Sequence, residues 1–404
     1  MDIILEKIDN IKINKKLLYD YSKSKCNKII NIVFFGRSGS QFLFNLLESH
    51  PNFLSIKSEF RQFWINSFEN PFGDTIKEQL FNFLNIYATF NENGEHQMIK
   101  LSGSNEKVHV PKDLIFSNKE QKSKKKENFP NIYKFIKYFL ELSSLKYRNK
   151  RILNKKEFFD TVFLSYSLSI QKAAQKEFII LHNLHIPDKN AINRIEMFYD
   201  TTIIHMIRHP IQSLASHIKR YLEPGKRFNG VKDNNIVYHC LAGLFKDDQQ
   251  LKSKDDTIEY GVKLEDIHKE LRLVLSKILK KLNMKFHHSC LIETSNGSPT
   301  KGMIGYDGKR VKNTRNQKDL FNYTECFSNK DICKLQNIFK KNFEQWNYKF
   351  LRIKEENEDS KVNIVFDFIK DIEKKNNLKI DDQIILDLIF KKVSSQQSLF
   401  KLVN

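Results

Sequence analysis

The chain has 404 residues and a mass of 48.0 kDa, which at about 150 residues per domain corresponds to two or three units, or to one extended α/β domain. Hydrophobic residues make up 40% of it and aromatic residues 12%, which is enough for a sizeable core and excludes a wholly disordered chain. The formal net charge of +20 is typical of proteins with an anionic partner, such as nucleic acid, an acidic membrane surface, a nucleotide or an acidic glycan.

Lysine supplies most of this positive charge. The chain has 56 Lys but only 12 Arg. Its heavy use of Lys, Asn, Ile and Phe is the composition that an AT-rich genome favours, so part of the charge excess follows from base composition. Each arginine is correspondingly more informative about function than each lysine.

The cysteines and the N-terminal segment bear on the compartment. Five cysteines are scattered along the sequence without a C-x-x-C pair, so we expect neither a disulfide framework nor a structural zinc site. A reducing cytoplasm is the expected location. The segment 1–27 opens with acidic residues inside a short apolar stretch, which is not the pattern of a signal peptide. The sequence has no run of about 18 apolar residues, so no membrane-spanning helix is predicted.

The chain opens as strand, turn, helix and strand. Apolar and β-branched residues predict a strand over 28–35, helical spacing of apolar residues predicts a helix over 41–49, and a second strand follows over 54–58. This order is typical of a βαβ unit and a parallel sheet. Further helices are predicted at 76–90, within 131–175, and at 211–220, 264–282, 330–346, 362–375 and 381–392, and further strands at 178–181 and 202–207.

These elements predict one main α/β domain over 28–350, with a central parallel sheet and flanking helices. The helices expected at about 112–175 interrupt the α/β pattern, so we interpret this stretch as a helical insertion. A charged stretch that begins near residue 352 is typical of a linker, and the residues over 351–404 are expected to form a helical C-terminal tail.

The turn between the first strand and the first helix is a candidate phosphate site. In a doubly wound sheet, the backbone N–H groups of this turn and the helix N-terminus favour anions. Glycines let such a turn wrap closely, serines add hydroxyl donors and an arginine adds a charged fork. A Walker A sequence is absent, which disfavours an ATPase or GTPase. The alternative is an ordinary strand-to-helix turn with a helix cap. The turn consists of Gly36, Arg37, Ser38, Gly39, Ser40 and Gln41.

A second candidate site follows the strand predicted at 202–207. Arg208 stands directly after that strand, Pro210 opens a turn, and Ser216 lies eight residues after the arginine. With a helix beginning near Pro210, the side chains of Arg208 and Ser216 could bind the same phosphate at the carboxyl edge of the sheet. The alternative is a surface arginine and an unrelated helix serine.

Together, GRSGSQ (36–41) and RHPIQSLAS (208–216) resemble the nucleotide motifs of sulfotransferases that use 3′-phosphoadenosine-5′-phosphosulfate (PAPS). The family's 5′ loop has the form P-[KR]-S-G-[TS]-[TS]. Its 3′-phosphate motif has R-x-P after a strand and a Ser eight residues after the Arg. Gln41 departs from this pattern, because the family commonly has a second Thr or Ser there. GVKLEDIHKEL (261–271) and ETSNG (293–297) are weaker similarities, and the whole resemblance spans roughly 28–350.

The resemblance implies a PAPS-dependent sulfotransferase with a P-loop-like core and no metal. Such an enzyme moves a sulfuryl group from PAPS to a hydroxyl or amine of a small-molecule or carbohydrate acceptor, a glycan being one candidate. Negative charge develops on the leaving phosphate oxygen, and Arg37 and the loop N–H groups stand where a stabiliser is needed.

Two residues compete for the role of the base that takes the acceptor's proton. Glu59 follows the second strand, at a place where glycan-modifying sulfotransferases often carry their base. His185 lies in LHNLHIP (181–187), which resembles the K-T-H-L-P segment of small-molecule sulfotransferases. Glu59 has a structural alternative as a surface carboxylate, and His185 has one as a loop histidine with His182 nearby.

The family's second basic loop, which meets the 3′ phosphate, has a local candidate in Lys309 and Arg310. Two other functions remain open. A nucleotide or polynucleotide kinase on a P-loop-like core would need the Walker lysine and a Mg²⁺-binding Asp after a strand, for which the sequence offers no clear candidates. A nucleic-acid-binding protein would explain the positive charge, but the lysines are spread along the chain and no zinc-finger or RNP-type motif is present.

Overall fold

In the computed structural model, part of the chain is described. The described residues are 7–34, 38–56, 60, 63–64, 72–90, 99–100, 107–108, 114–116, 130–185, 189–218, 258–295, 298–299, 326–350, 366–376, 379, 383, 387 and 401–402.

Short strands and medium helices alternate along these residues. The strands are β1 (Lys25–Phe34), β2 (Phe53–Ile56), β3 (Ala88–Phe90), β4 (Ile99–Lys100), β5 (Lys107–Val108), β6 (Leu114–Phe116), β7 (Glu177–His185), β8 (Asp200–Ile207), β9 (Ile258–Lys263), β10 (Thr294–Ser295), β11 (Ser298–Pro299) and β12 (Lys401–Leu402). The helices are α1 (Lys15–Ser22), α2 (Ser40–Leu47), α3 (Ile76–Tyr87), α4 (Ile132–Lys146), α5 (Lys155–Ser169), α6 (Lys189–Ile195), α7 (Pro210–His217), α8 (Leu264–Lys269), α9 (Leu271–Lys281), α10 (Asn329–Ile338), α11 (Lys340–Gln345) and α12 (Asp367–Asn376).

Five parallel strands form the central sheet, in the order β9-β8-β1-β7-β2, and the two-residue β12 extends its β9 edge. The predicted α/β architecture with a parallel sheet and flanking helices is therefore confirmed. Strand β2 pairs in parallel with β7, from Phe53 opposite Ile179 to Ile56 opposite His182. The strand order reverses at β1, because β2 and β7 lie on one side of it and β8 and β9 on the other. In open α/β sheets, ligands bind beyond the carboxyl ends of the strands at such a reversal.

The chain divides into two compact units. The first comprises 1–32, 41–203 and 287–300, and the second comprises 33–40, 204–286 and 301–404. Each unit has elements from distant parts of the sequence, so neither could be delimited from sequence alone.

An aromatic core fills part of the first unit. Phe159 of α5 lies 4.6 Å from Trp64 between ring centroids, and Phe158 lies 5.1 Å from Phe83 of α3. Helix α5 begins with a reciprocal capping box, in which the Asn154 side chain bonds the Glu157 backbone and the Glu157 side chain bonds the Asn154 backbone. The described part of the predicted helical insertion contains α4 and α5, which pack against each other, but it also contains the short strand β6, which pairs with β3.

The second unit contains β9 and α7 to α12. Asp331 of α10 accepts the backbone N–H groups of Asp367 at 2.8 Å and Phe368 at 2.9 Å. Both donors lie in the first turn of α12, where backbone N–H groups lack partners within the helix. The first helix of the predicted tail is therefore fixed to α10.

Three predicted helices differ from the structure. The helix expected over 76–90 ends at Tyr87, and residues 88–90 form β3. The helices expected over 264–282 and 330–346 are each two helices, with Glu270 (φ −139°) between the first pair. An apolar stripe continues across a one-residue interruption, so its spacing did not reveal the break. The described helices include none with the length and apolar character needed to cross a membrane.

Candidate active site

The turn after β1 requires glycine at position 39. Gly39 has φ +84°, in the region that L-residues rarely adopt. A Cβ atom built on it would lie 2.6 Å from Cδ1 of Leu264, the first residue of α8, within the same unit. The backbone conformation therefore selects glycine, and an added Cβ would also displace the end of the Leu264 side chain. The chain enters α2 at the next residue, Ser40.

Ser38 places a hydroxyl in this turn. Its side chain is fully buried, and Oγ has no hydrogen-bond partner among the residues that the structure describes. Leaving a buried hydroxyl unpaired costs about 1–3 kcal/mol, so such a group commonly binds an ordered water or a ligand. The turn therefore offers a hydrogen bond that a phosphate or sulfate oxygen can accept.

The second motif occupies the position that the sequence predicts. Arg208 directly follows β8 and is 8% exposed, Pro210 is the first residue of α7, and Ser216 is fully buried on that helix. Strands β1 and β8 are neighbours in the sheet, so the segments that follow them start from the same sheet edge. The structure thus brings Ser38, Gly39, Ser40, Arg208 and Ser216 into one compact unit.

The backbone next to Arg208 is anchored by Glu265 of α8. Its Oε1 accepts the backbone N–H of His209 at 2.9 Å, and its Oε2 accepts the Tyr348 hydroxyl at 2.8 Å. Burial, then the charge and hydrogen bond of Glu265, raise the pKa of Tyr348 well above its usual value, so this hydroxyl stays protonated and donates. Glu265 lies in GVKLEDIHKEL, the segment singled out for its family resemblance.

His209 itself is buried in an apolar setting. Its ring centroid lies 5.0 Å from that of Phe343 and 5.2 Å from that of Tyr348. Burial, and secondarily the adjacent Arg208 charge, lower the pKa of His209 to about 4. The ring is therefore neutral at pH 7, and the cation at this turn is Arg208.

Gln41 belongs to the first unit and has both ends of its amide occupied. Nε2 donates to Asn45 Oδ1 at 2.7 Å, and Oε1 accepts from Asn183 Nδ2 at 3.2 Å. Asn45 lies one turn further along α2, and Asn183 lies near the carboxyl end of β7. The residue that departs from the family's Thr or Ser is therefore held in a fixed orientation.

This chain of amides continues to a carboxylate. Asn45 Nδ2 donates to Glu293 Oε1 at 3.1 Å, and both side chains are at most 5% exposed. The neighbouring Thr294 donates to Glu48 at 2.9 Å, which ties the 293–294 segment to the end of α2. Glu293 begins ETSNG, a segment with only a weak family resemblance, and no sequence pattern marks Asn45 or Asn183.

The two histidines of LHNLHIP differ in what the structure defines. His182 is fully buried within the sheet, with its Nδ1 2.8 Å from Asn31 Oδ1 and its ring 6.1 Å from Phe159. This environment identifies a structural histidine. For His185, the backbone is defined as the last residue of β7.

The remaining predicted site residues are not placed. Gly36, Arg37, Glu59, Lys309 and Arg310 lie outside the described residues. Their roles stay predictions from sequence. The described residues also contain no group of three or more side chains suited to bind a metal ion.

The comparisons with known proteins return sulfotransferases among solved structures. A sulfotransferase domain from the curacin biosynthetic pathway is 13% identical with a TM-score of 0.38, and the match covers 89% of this chain and 100% of that one. The sulfotransferase domain of the Synechococcus PCC 7002 olefin synthase is 15% identical with a TM-score of 0.36, over 67% of this chain and 78% of that one. Sulfotransferase STF1 from Mycobacterium tuberculosis is 11% identical with a TM-score of 0.29, over 68% and 72%.

No family model and no curated protein matches the sequence. The solved structures are of the class that the two sequence motifs resemble.

Proposed function

We propose that this protein is a sulfotransferase that uses PAPS as its sulfuryl donor and modifies a hydroxyl or amine of a small-molecule or carbohydrate acceptor. In this reaction the bond between sulfur and the 5′-phosphate oxygen breaks, a bond between sulfur and the acceptor's oxygen or nitrogen forms, and the acceptor's proton passes to a base. The products are the sulfated acceptor and adenosine 3′,5′-bisphosphate.

The observation that carries the proposal is the pair of motif segments in one unit. The turn at 38–40 follows β1, and Arg208 follows the neighbouring β8. The turn has the φ of +84° at Gly39 that a tight glycine turn needs, and Ser38 holds a buried hydroxyl without a partner among the described residues. These features fit an anionic group bound at the start of α2, where helix N-termini favour negative charge.

Different residues would bind the donor, stabilise the leaving group and accept the proton. The turn and Arg37 would hold the phosphosulfate end and stabilise charge on the leaving oxygen. Arg208 and Ser216 would bind the 3′ phosphate, with Lys309 and Arg310 as the further basic loop. Glu59 or His185 would accept the proton. No specific observation in the described residues favours the kinase or the nucleic-acid alternative.

A melting experiment tests the proposal directly. Adenosine 3′,5′-bisphosphate at about a hundredfold excess over its Kd should add about 2.7 kcal/mol to the free energy of unfolding and raise Tm, whereas ATP should have little effect. Equal stabilisation by ATP would favour a kinase-like protein. A salt-sensitive interaction with DNA, together with no effect of the bisphosphate, would favour a nucleic-acid-binding protein.

A further inference from the structure

The amide of Gln41 belongs to a hydrogen-bonded series of side chains that starts at Glu293. The series runs from Glu293 through Asn45 and Gln41 to Asn183, with donor–acceptor distances of 3.1, 2.7 and 3.2 Å. All four residues lie in the first unit. We name this series the amide relay.

Glu293 determines the direction of every bond in the amide relay. The two ends of an amide are hard to distinguish by shape, so their assignment depends on their partners. A carboxylate only accepts hydrogen bonds, so Asn45 must present Nδ2 to Glu293 and Oδ1 to Gln41. Gln41 must then donate Nε2 to Asn45 and accept with Oε1 from Asn183.

This orientation of the Gln41 amide leaves one N–H of Nε2 for a ligand. Nε2 has two hydrogens, of which one is used by Asn45, and no partner for the second is found among the described residues. Gln41 is only half-buried, whereas Asn45 and Asn183 are buried. The reversed amide would place the carbonyl oxygen at the same point, where it would repel an anion.

We propose that Glu293 is a positioning residue for the transferred group: acting through Asn45, it fixes the Gln41 amide so that Nε2–H faces the sulfuryl oxygens of PAPS. This inference rests on the proposed function. Gln41 would thus replace the hydroxyl of the family's second Thr or Ser with an amide donor. Its preorganisation by Glu293 would matter because a donor that is already oriented costs no reorganisation when charge develops.

Moving the carboxylate of the amide relay from position 293 to position 45 tests this inference. Glu293→Gln replaces a group that only accepts hydrogen bonds with one that can donate as well as accept. Both orientations of the Asn45 and Gln41 amides can then form their hydrogen bonds, so kcat should fall by at least about twofold. Asn45→Asp places two carboxylates together without a donor between them, so Tm should fall by about 2–4 °C or more. In the double variant, Gln at position 293 donates to Asp at position 45, which still accepts from Gln41.

The double variant Glu293→Gln/Asn45→Asp should therefore regain both the Tm and the kcat of the wild type. Gln41→Leu deletes the donor, and its kcat should fall by about 10²–10³-fold, as for the loss of one oxyanion donor. Glu141→Gln makes the same substitution as Glu293→Gln at an exposed position on α4 and should leave kcat unchanged. The assay is release of adenosine 3′,5′-bisphosphate from PAPS, with 4-nitrophenol, glucosamine, chitobiose and water offered as acceptors.

The outcomes separate this inference from the proposed function. Rescue of Tm without rescue of kcat would show that the amide relay is only structural and would overturn the inference. An unchanged kcat in both Glu293→Gln and Gln41→Leu would overturn it as well. A wild-type protein that neither turns over PAPS nor is stabilised by the bisphosphate would remove the proposed function and this inference together.

Discussion

Glu265 accepts the backbone N–H of His209 at 2.9 Å, one residue after Arg208. The bond joins the start of α8 to the turn that opens α7, and its strength depends on a carboxylate whose other oxygen is occupied by Tyr348 at 2.8 Å. A charge-assisted bond of this type contributes more than a neutral one. The position of Arg208 at the sheet edge is therefore maintained by residues 57 and more positions away in the sequence.

Tyr348→Phe tests this support. Loss of one hydroxyl bond should lower the free energy of unfolding by about 1 kcal/mol, and the looser turn should weaken adenosine 3′,5′-bisphosphate binding by a factor of a few. Denaturant unfolding and calorimetry measure the two effects. Tyr19→Phe, at a tyrosine that is 53% exposed, is the matched control. Equal behaviour of the two variants would mean that Tyr348 does not stabilise the turn.

Protonation of His209 should make stability depend on pH. Its pKa is about 4 when folded against an ordinary value of 6.5, so the unfolded chain binds more protons between these values. The stabilisation is complete above about pH 6.5 and is lost as the pH falls toward 4, by about 3 kcal/mol in all. His209→Gln keeps the backbone bond to Glu265 and should flatten this part of the stability–pH curve.

Denaturant midpoints at several pH values between 4 and 7.5 give that curve. The control is His288→Gln at an exposed histidine, which should retain the slope of the wild type. A His209→Gln protein with the same slope as the wild type would show that the acid sensitivity comes from other groups.

Gly39→Ala should be harmful for two separable reasons. A residue with Cβ is strained at φ +84°, and the new atom would lie 2.6 Å from Leu264 Cδ1. Strain of this kind costs about 1–3 kcal/mol, so Tm and bisphosphate affinity should both fall. If the steric overlap contributes, Leu264→Ala should be less harmful in the Gly39→Ala background than in the wild type. An alanine variant with unchanged Tm would show that the turn does not need glycine.

The sequence was most informative where a strand, a turn and a helix follow one another. Strand β1 is a β-branched run whose Ile29, Ile30, Ile32 and Val33 are at most 2% exposed, and its boundaries were predicted to within a few residues. The R-x-P segment similarly predicted the end of β8 and the start of α7. These features depend on local composition and on proline, which act over a few residues.

The supporting contacts could not be predicted, because they join distant segments. Asn45 and Glu293 are 248 positions apart, and His209 and Glu265 are 56 apart. A hydrogen bond between distant polar side chains leaves no regular spacing in the sequence from which it could be predicted. Strand β9 and helices α1 and α6 were also missed, since each is short and carries a weak apolar pattern.

Arg208→Ala and Ser216→Ala test the 3′-phosphate assignment. Arg208→Ala should weaken PAPS binding by about 2–5 kcal/mol, as expected when one partner of a buried charge pair is removed. Ser216→Ala should cost about 1 kcal/mol, the contribution of a neutral hydrogen bond. Ser213→Ala replaces another buried serine of α7 and should leave the affinity unchanged. Calorimetry that finds normal affinity in both Arg208→Ala and Ser216→Ala would refute the assignment.

The identity of the base separates two kinds of sulfotransferase. Glu59→Gln keeps the size of the side chain and removes the proton acceptor, so if Glu59 is the base, kcat should fall by about 10²–10⁴ while PAPS binding is retained. His185→Ala should then be mild. The reverse result would move the expected acceptor from a glycan to a phenol, alcohol or amine.

The pH profile of activity also separates the two bases. An enzyme with a histidine base should lose activity between about pH 5 and 7, whereas one with a carboxylate base should lose it well below neutrality unless burial raises the pKa of the carboxylate. An acceptor found by screening is needed for these measurements. A loss below about tenfold in both variants would exclude both residues, because a general base contributes more than that.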